Sequence, residues 1–302
     1  MHPAELAIHL HRALEVRMAR FLERLEAPAW EDDPEGLHQV RVAARRLSAV
    51  LDLVDPDAYG GHKGHRRTLK HLVTLLGPVR ELDVHGAALH ALHRETQSTL
   101  QAASLEHLED GLDRARAKVR RGLKKEVASL RLQDLTRLLK VANLPDPFQS
   151  VSLQEAAWAA LAPRLAVLGD LRNLANQEDA AALHKARVQI KKLRYALEAV
   201  EGVFADSPET LLLPLRELQT CLGTHHDLAA LETWLWEQEG RLRNQDRSTL
   251  CGGVLDLLGT VAEDRRAAFD RFTSLARADT SASFIPGLRQ TLGLPPLPDP
   301  PE

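Results

Sequence analysis

His38-Gln39-Val40-Arg41-Val42-Ala43-Ala44-Arg45-Arg46-Leu47 returns, at an offset of 146 residues, as His184-Lys185-Ala186-Arg187-Val188-Gln189-Ile190-Lys191-Lys192-Leu193. At roughly 100° per residue, the first, fourth and eighth positions of each copy fall within about a 60° arc of a helix. His38, Arg41 and Arg45 therefore share one face, as do His184, Arg187 and Lys191. Val40, Ala43, Ala44, Leu47, Val50, Leu51 and Val54 occupy the opposite face of the first copy, and Ala186, Ile190, Leu193, Leu197 and Val200 that of the second. Each copy reads as a helix anchored by an apolar stripe and presenting a cationic one.

The same offset holds downstream. Lys70 maps to Arg216, Leu72 to Leu218, Leu76-Gly77 to Leu222-Gly223, Glu81 to Asp227 and Leu82 to Leu228, with no insertion between histidine and glycine in either copy. Such a register predicts two duplicated, antiparallel helical bundles about a pseudo-two-fold axis. Equivalent faces then meet, and the two cationic stripes line one shared groove. The expected class is all-α, since aromatics are only 4% and no run of alternating β-branched residues suggests a strand. Residues 1–145 form the first expected subdomain and 146–275 the second, joined at Asn143-Leu144-Pro145-Asp146-Pro147. Residues 276–302 read as a Pro-rich tail, extended or disordered beyond Ser283.

Local signals place the elements within each half. A first helix over about Pro3 to Glu26 buries Leu6, Leu10, Leu14, Phe21 and Leu25, and Asp32-Asp33-Pro34 opens the first cationic helix. Gly60-Gly61 breaks the chain before a helix from His62 to Leu76, which Gly77-Pro78 is expected to close. In the second half the equivalent helix is expected to stop at Gly223, with His225-His226-Asp227 opening the next. Glu81, Asp83 and Asp227 then read as helix-capping and arginine-orienting carboxylates.

A net charge of −3 and a pI near 6.5 argue against a generally basic nucleic-acid binder. The positive charge is local: His184 to Arg194 holds five bases and no acid. A second basic stretch runs from Arg114 to Lys125. Cys221 and Cys251 are too few for a disulfide scaffold or zinc ribbon and read as buried thiols. Glu5, His9, Arg12 and Glu15 interrupt any apolar export signal, and no stretch reaches the roughly 18 apolar residues of a membrane span. The expected location is the cytoplasm.

Four motifs in this order, covering most of residues 1 to 275, resemble the CHAD family, the helical domain named for its histidines. They are HxxRVxxRRL at His38 to Leu47, LGPVRELDV at Leu76 to Val84, HKARVQIKKLRY at His184 to Tyr195 and LQTCLGTHHDL at Leu218 to Leu228. The resemblance implies two similar four-helix subdomains whose basic residues line a central groove that binds inorganic polyphosphate, with polyphosphate granules as the implied location. Glu81 stands where the family commonly has Asp, and His226 where Asn is common.

A linear polyanion needs a row of long cationic donors, Arg giving forked contacts and Lys mobile point charges. The candidate binding set is His38, Arg41, Arg45, Arg46, Lys70, Arg80, His184, Arg187, Lys191, Lys192, Arg194, Tyr195, Arg216 and His226. Any single Arg is more often a solvated helix face held by acids such as Asp52 and Glu198; the repeated set reverses that preference. If His38 and His184 touch phosphate, binding should strengthen as pH falls toward about 6.5. A metal-dependent phosphohydrolase built on His226-Asp227 is one rival, ranked lower because Arg80-Glu81 occupies the equivalent position. Single-stranded nucleic acid is another, ranked lower because Tyr195 is the only aromatic on the stripes. No catalysis, cofactor, metal or protein partner is indicated by the sequence.

Overall fold

The computed structural model describes residues 4–28, 30–54, 59, 61–130, 132–140, 152–278 and 280–296. The linker Asn143 to Pro147 and the prolines from Pro298 onward lie outside the described residues. All regular structure among the described residues is helical. The first half contributes α1 (Ala4–Glu26), α2 (Pro34–Leu51), α3 (His62–Leu75), α4 (Gly77–Glu95) and α5 (Thr99–Arg120), then the short α6 (Leu123–Ser129) and α7 (Arg137–Lys140). The second contributes α8 (Leu153–Leu161), α9 (Ala166–Leu174), α10 (Ala180–Ala199), α11 (Glu209–Arg243), α12 (Ser248–Arg277) and α13 (Thr280–Thr291). No helix among the described residues is long and apolar enough to cross a membrane.

The expected start of the first cationic helix holds, and the second opens in the same way. Asp33 caps α2 by accepting from the Glu35 and Gly36 amides, with Pro34 in the first turn, and Asp179 caps α10 by accepting from Ala181 and Ala182. Of the two expected stops, α3 ends where expected, with its C-cap at Leu76 but without a glycine cap, and the stop at Gly223 does not hold. Gly77 lacks the left-handed conformation of a C-cap glycine and is instead the first residue of α4. Pro78 sits in the first turn, where an N–H has no helical partner to lose. Gly223 lies inside α11, one uninterrupted helix of 35 residues. One difference between the halves bears on this: Thr224 stands where Pro78 does. An interior glycine costs only about 1 kcal/mol, whereas proline removes a hydrogen bond and clashes with the preceding turn. Glu81, Asp83 and Asp227 therefore cap nothing. Asp83, its side chain wholly buried, orients Arg116 and Arg120 at 2.6 and 3.4 Å.

The predicted tail is also corrected. Residues 280–291 form α13, and Phe284, Leu288 and Leu292 are buried against the main core. Pro286 is accommodated inside that helix.

Two apolar cores result, and each draws on both halves of the sequence. The larger joins α1, α2, α3, α8, α9 and α10 to the start of α11, the end of α12 and α13. The smaller packs Leu89 of α4 and Leu105, Leu108 and Leu112 of α5 against Leu231 and Leu235 of α11 and Val254, Leu257 and Val261 of α12. The boundary expected at residue 145 is thus not a division of the core. Ser104 Oγ donates to the Leu250 carbonyl at 3.1 Å, and 104 and 250 are equivalent positions under the offset. A residue touching its own counterpart lies near the axis that the repeat implies.

Candidate functional site

Between the two cores α2, α4, α10 and α11 wall a cavity of about 760 Å³. Its lining follows the repeat: His38 and His184, Arg41 and Arg187, Arg45 and Lys191, Gly77 and Gly223, Arg80 and His226, Glu81 and Asp227 all enter as equivalent pairs. Backbone placement explains this. A β-carbon on Gly77 would lie 3.9 Å from Arg41 Nη1, and one on Gly223 3.6 Å from Arg187 Nε, so each glycine faces the arginine of its own half.

The cavity holds more positive charge than its acids balance. Arg41, Arg45, Arg80, Arg187 and Lys191 face it against Glu81 and Asp227. Among the described residues only Arg187 of these reaches a carboxylate, Asp227 at 3.6 Å, and its buried Nε has no hydrogen-bond partner there. Arg41 donates to the Val73 carbonyl at 2.6 Å, which fixes the guanidinium without neutralising it. Burial, with Arg45 and Arg80 nearby, brings the Arg41 pKa down to about 10, still fully charged near neutrality. Burial, Arg187 and Arg45 bring the Lys191 ammonium down to about 7. These groups repel one another while no anion is bound.

The histidines behave differently from expectation. His184 Nδ1 lies 3.3 Å from His226 Nδ1, a spacing at which one imidazole donates and the other accepts. Burial, Arg187 and His184 bring His226 down to about 4. His38 is lowered by burial and Arg80, and His184 by burial, Arg187 and Lys191. In the free protein they do not supply the charge expected to appear near pH 6.5; Lys191 is the group poised near neutrality.

Several predicted residues lie elsewhere. Arg194 is buried, bonded to Glu198 at 2.5 Å and to Gln219 at 2.9 Å, and it stacks on Tyr195 at 4.6 Å. Arg46 points away from the cavity and pairs with the same Glu198 at 3.3 Å. Arg216 pairs with Glu209 at 2.5 Å, and Lys70 is exposed on α3; neither lines the groove. For Arg46, Arg194 and Arg216 the acids prevail, as surface statistics favour. Lys192 and Tyr195 line a side bay of about 300 Å³ that shares Arg45, His184, Arg187 and Lys191 with the main cavity. In the Arg114 to Lys125 stretch, Arg116 and Arg120 are held by Asp83 and Lys124 by Glu31, and no residue of the stretch lines the cavity.

Sequence reasoning missed His85. Only 2% exposed, it lines the cavity with neither ring nitrogen hydrogen-bonded and packs against Trp234, ring centroids 5.6 Å apart. Its helical spacing matches Leu82 and Leu89, so it reads as core, and its repeat counterpart is Leu231. Gln219, Thr220 and Thr224 add neutral polar groups to the lining. Arg164 reaches the bay from the turn before α9, held by the carbonyls of Ala160 and Asp52.

A family model described as the CHAD domain matches residues 12–236. Two solved structures share the fold. The crystal structure of the CHAD domain from the plant Ricinus communis aligns with TM-score 0.64 and 22% identity, covering 92% of each chain. PptA from Streptomyces chartreusis aligns with TM-score 0.65 and 19% identity, covering 91% of this chain and 99% of that one. No curated protein matches the sequence.

Proposed function

The chain belongs to the CHAD domain family, and we propose that it binds inorganic polyphosphate, without catalysis, in the groove between α2, α4, α10 and α11. The observation that carries this reading is the convergence of Arg41, Arg45, Arg80, Arg187 and Lys191 on one cavity with, among the described residues, a single long contact to a carboxylate. Cations packed this way are costly in the free protein, and a multiply charged anion relieves that cost while filling the orphaned donors. The protein then collects where polyphosphate is stored, at granules in the cytoplasm.

Hydrolysis through His226 and Asp227 is disfavoured by their neighbours. Asp227 is spent on Arg187, while Arg187 and Lys191 repel any metal ion approaching the pair. Nucleic acid is disfavoured because Tyr195 is 7% exposed and carries Arg194 and Arg46 over its ring, leaving no free face for a base.

The test is equilibrium binding of polyphosphate at varied salt. By analogy with counterion release from DNA, six to ten phosphate contacts should give a loss on the order of 10³ in affinity between 50 and 200 mM salt. Replacing Arg41, Arg45 and Arg187 with Gln and Lys191 with Met should abolish binding with helicity retained. Salt-independent affinity, or a folded quadruple variant that still binds, would remove the reading.

A further inference from the structure

A second basic recess lies outside the groove. It occupies about 200 Å³ between α1 and α2 and is lined by Arg17, Arg20, Arg24 and Arg46, with Glu23 as its single acid. Arg17, Arg20 and Arg24 stand at i, i+3 and i+7 of α1, so they share about a 60° arc and rise over roughly 10 Å. That is the spacing of His38, Arg41 and Arg45 in the groove. Among the described residues none of the three α1 arginines is within ion-pair distance of a carboxylate, although acids outnumber bases in the chain as a whole. The half-buried Arg17 is lowered by burial and by the charge of Arg46. Three α1 guanidiniums without an ion-pair partner among the described residues, beside an Arg46 that Glu198 holds from the other side, mark a place prepared for an anion in a protein of net charge −3.

Bases also recur between the recess and the groove, with Asp52 and Glu198 among them. The main cavity opens into the side bay through Arg45 and Lys191, and the bay adds Lys192, Arg164 and Tyr195. Arg46 stands over the Tyr195 ring, 5.9 Å from its centroid, and faces the recess. Arg45 and Arg46 are consecutive on α2, about 100° apart, so the two sites lie on adjacent faces of one helix.

We propose that Arg17, Arg20, Arg24 and Arg46 form a second anion site that grips the part of a polyphosphate chain leaving the groove, so that the protein favours long chains over short ones. This rests on the polyphosphate reading of the groove. A chain held at the first site meets the second intramolecularly, at high effective concentration, and gains avidity without any change at the groove. A short oligophosphate fills the groove alone.

The experiment compares tripolyphosphate with long-chain polyphosphate on the full chain and on the variant Arg17→Gln, Arg20→Gln, Arg24→Gln. These side chains lie at the surface of α1, and circular dichroism checks that the variant stays folded. Long-chain affinity should drop by about tenfold or more, and the slope of log affinity against log salt should decrease by about two to three, one phosphate contact per arginine lost. Tripolyphosphate affinity should stay within about twofold. The triple Lys variant, which keeps the charge, should recover most of the long-chain affinity. Equal long-chain binding and slope in the Gln variant would overturn the second site and leave the groove intact. Equal losses for both ligands would also overturn it, since the arginines would then act through the groove. Failure of the unaltered protein to bind either ligand would take down the groove reading itself.

Discussion

A lysine with Arg187 and Arg194 on its own helix, Arg45 facing it from α2 and only Asp227 opposing from α11 holds its proton weakly, and burial weakens it further. Lys191, at about 7, is therefore partly neutral in the free protein at physiological pH. A bound polyanion favours the ammonium and raises that value, so binding takes up a proton wherever the free lysine is neutral and the bound one charged. Affinity should be level below about pH 7 and fall as pH rises, by up to about tenfold per unit for one linked proton. Lys191→Arg keeps the charge and should flatten the profile; a slope unchanged in that variant would assign the titration to another group. The same crowding predicts that Lys191→Met stabilises the free protein by about 0.5–2 kcal/mol while weakening binding, read as an upward shift of the urea midpoint. At this scale the histidine-arginine stripes were legible from spacing, whereas Arg194, read as a groove residue, is held by Glu198 four residues on. The claim of Glu198 on Arg46 was not legible, because it crosses between helices and no periodicity within one helix reports it.

Helix against helix, α5 and α12 meet closely at Gly253. A β-carbon on Gly253 would fall 2.1 Å from Ser104 Oγ and 2.6 Å from the Leu100 carbonyl, so α5 and α12 can touch only because the side chain is missing. Gly253→Ala should force the two helices apart at a cost of about 1–3 kcal/mol, measured by chemical denaturation. The polyphosphate groove, walled by α2, α4, α10 and α11, should keep its affinity. Gly223 shows the opposite case: the same residue type, inside α11, neither ends the helix nor turns it. The presence of Pro78 after Gly77, and of Thr224 after Gly223, explains why one half has α3 and α4 separated at Leu76 while the other has a single helix. Proline is the stronger signal, and the repeat itself concealed the difference by suggesting that both halves break alike.

For the molecule as a whole, α13 ties the chain end to the larger core. Removing residues 280–302 would strip Phe284, Leu288 and Leu292 from it. At about 1.5–3 kcal/mol for each large apolar side chain, the loss is comparable to the net stability of an ordinary domain. The truncated chain should therefore lose its cooperative unfolding transition, followed by circular dichroism; an unchanged transition would mean that α13 contributes little. Composition alone determined that this protein is helical, and the repeat, with its apolar stripes and its Asp-Pro helix start, determined which residues the two cationic helices present. Those are local properties, set by 3.6-residue periodicity and by capping chemistry along one strand of chain. Only the tertiary structure decided which cations share a cavity with just Glu81 and Asp227 among its lining acids, that His85 is buried against it without a hydrogen-bond partner among the described residues, and that the Pro-rich end begins as a packed helix. Each of these depends on distances between segments far apart in sequence, and pairing across such distances is settled by how the helices pack.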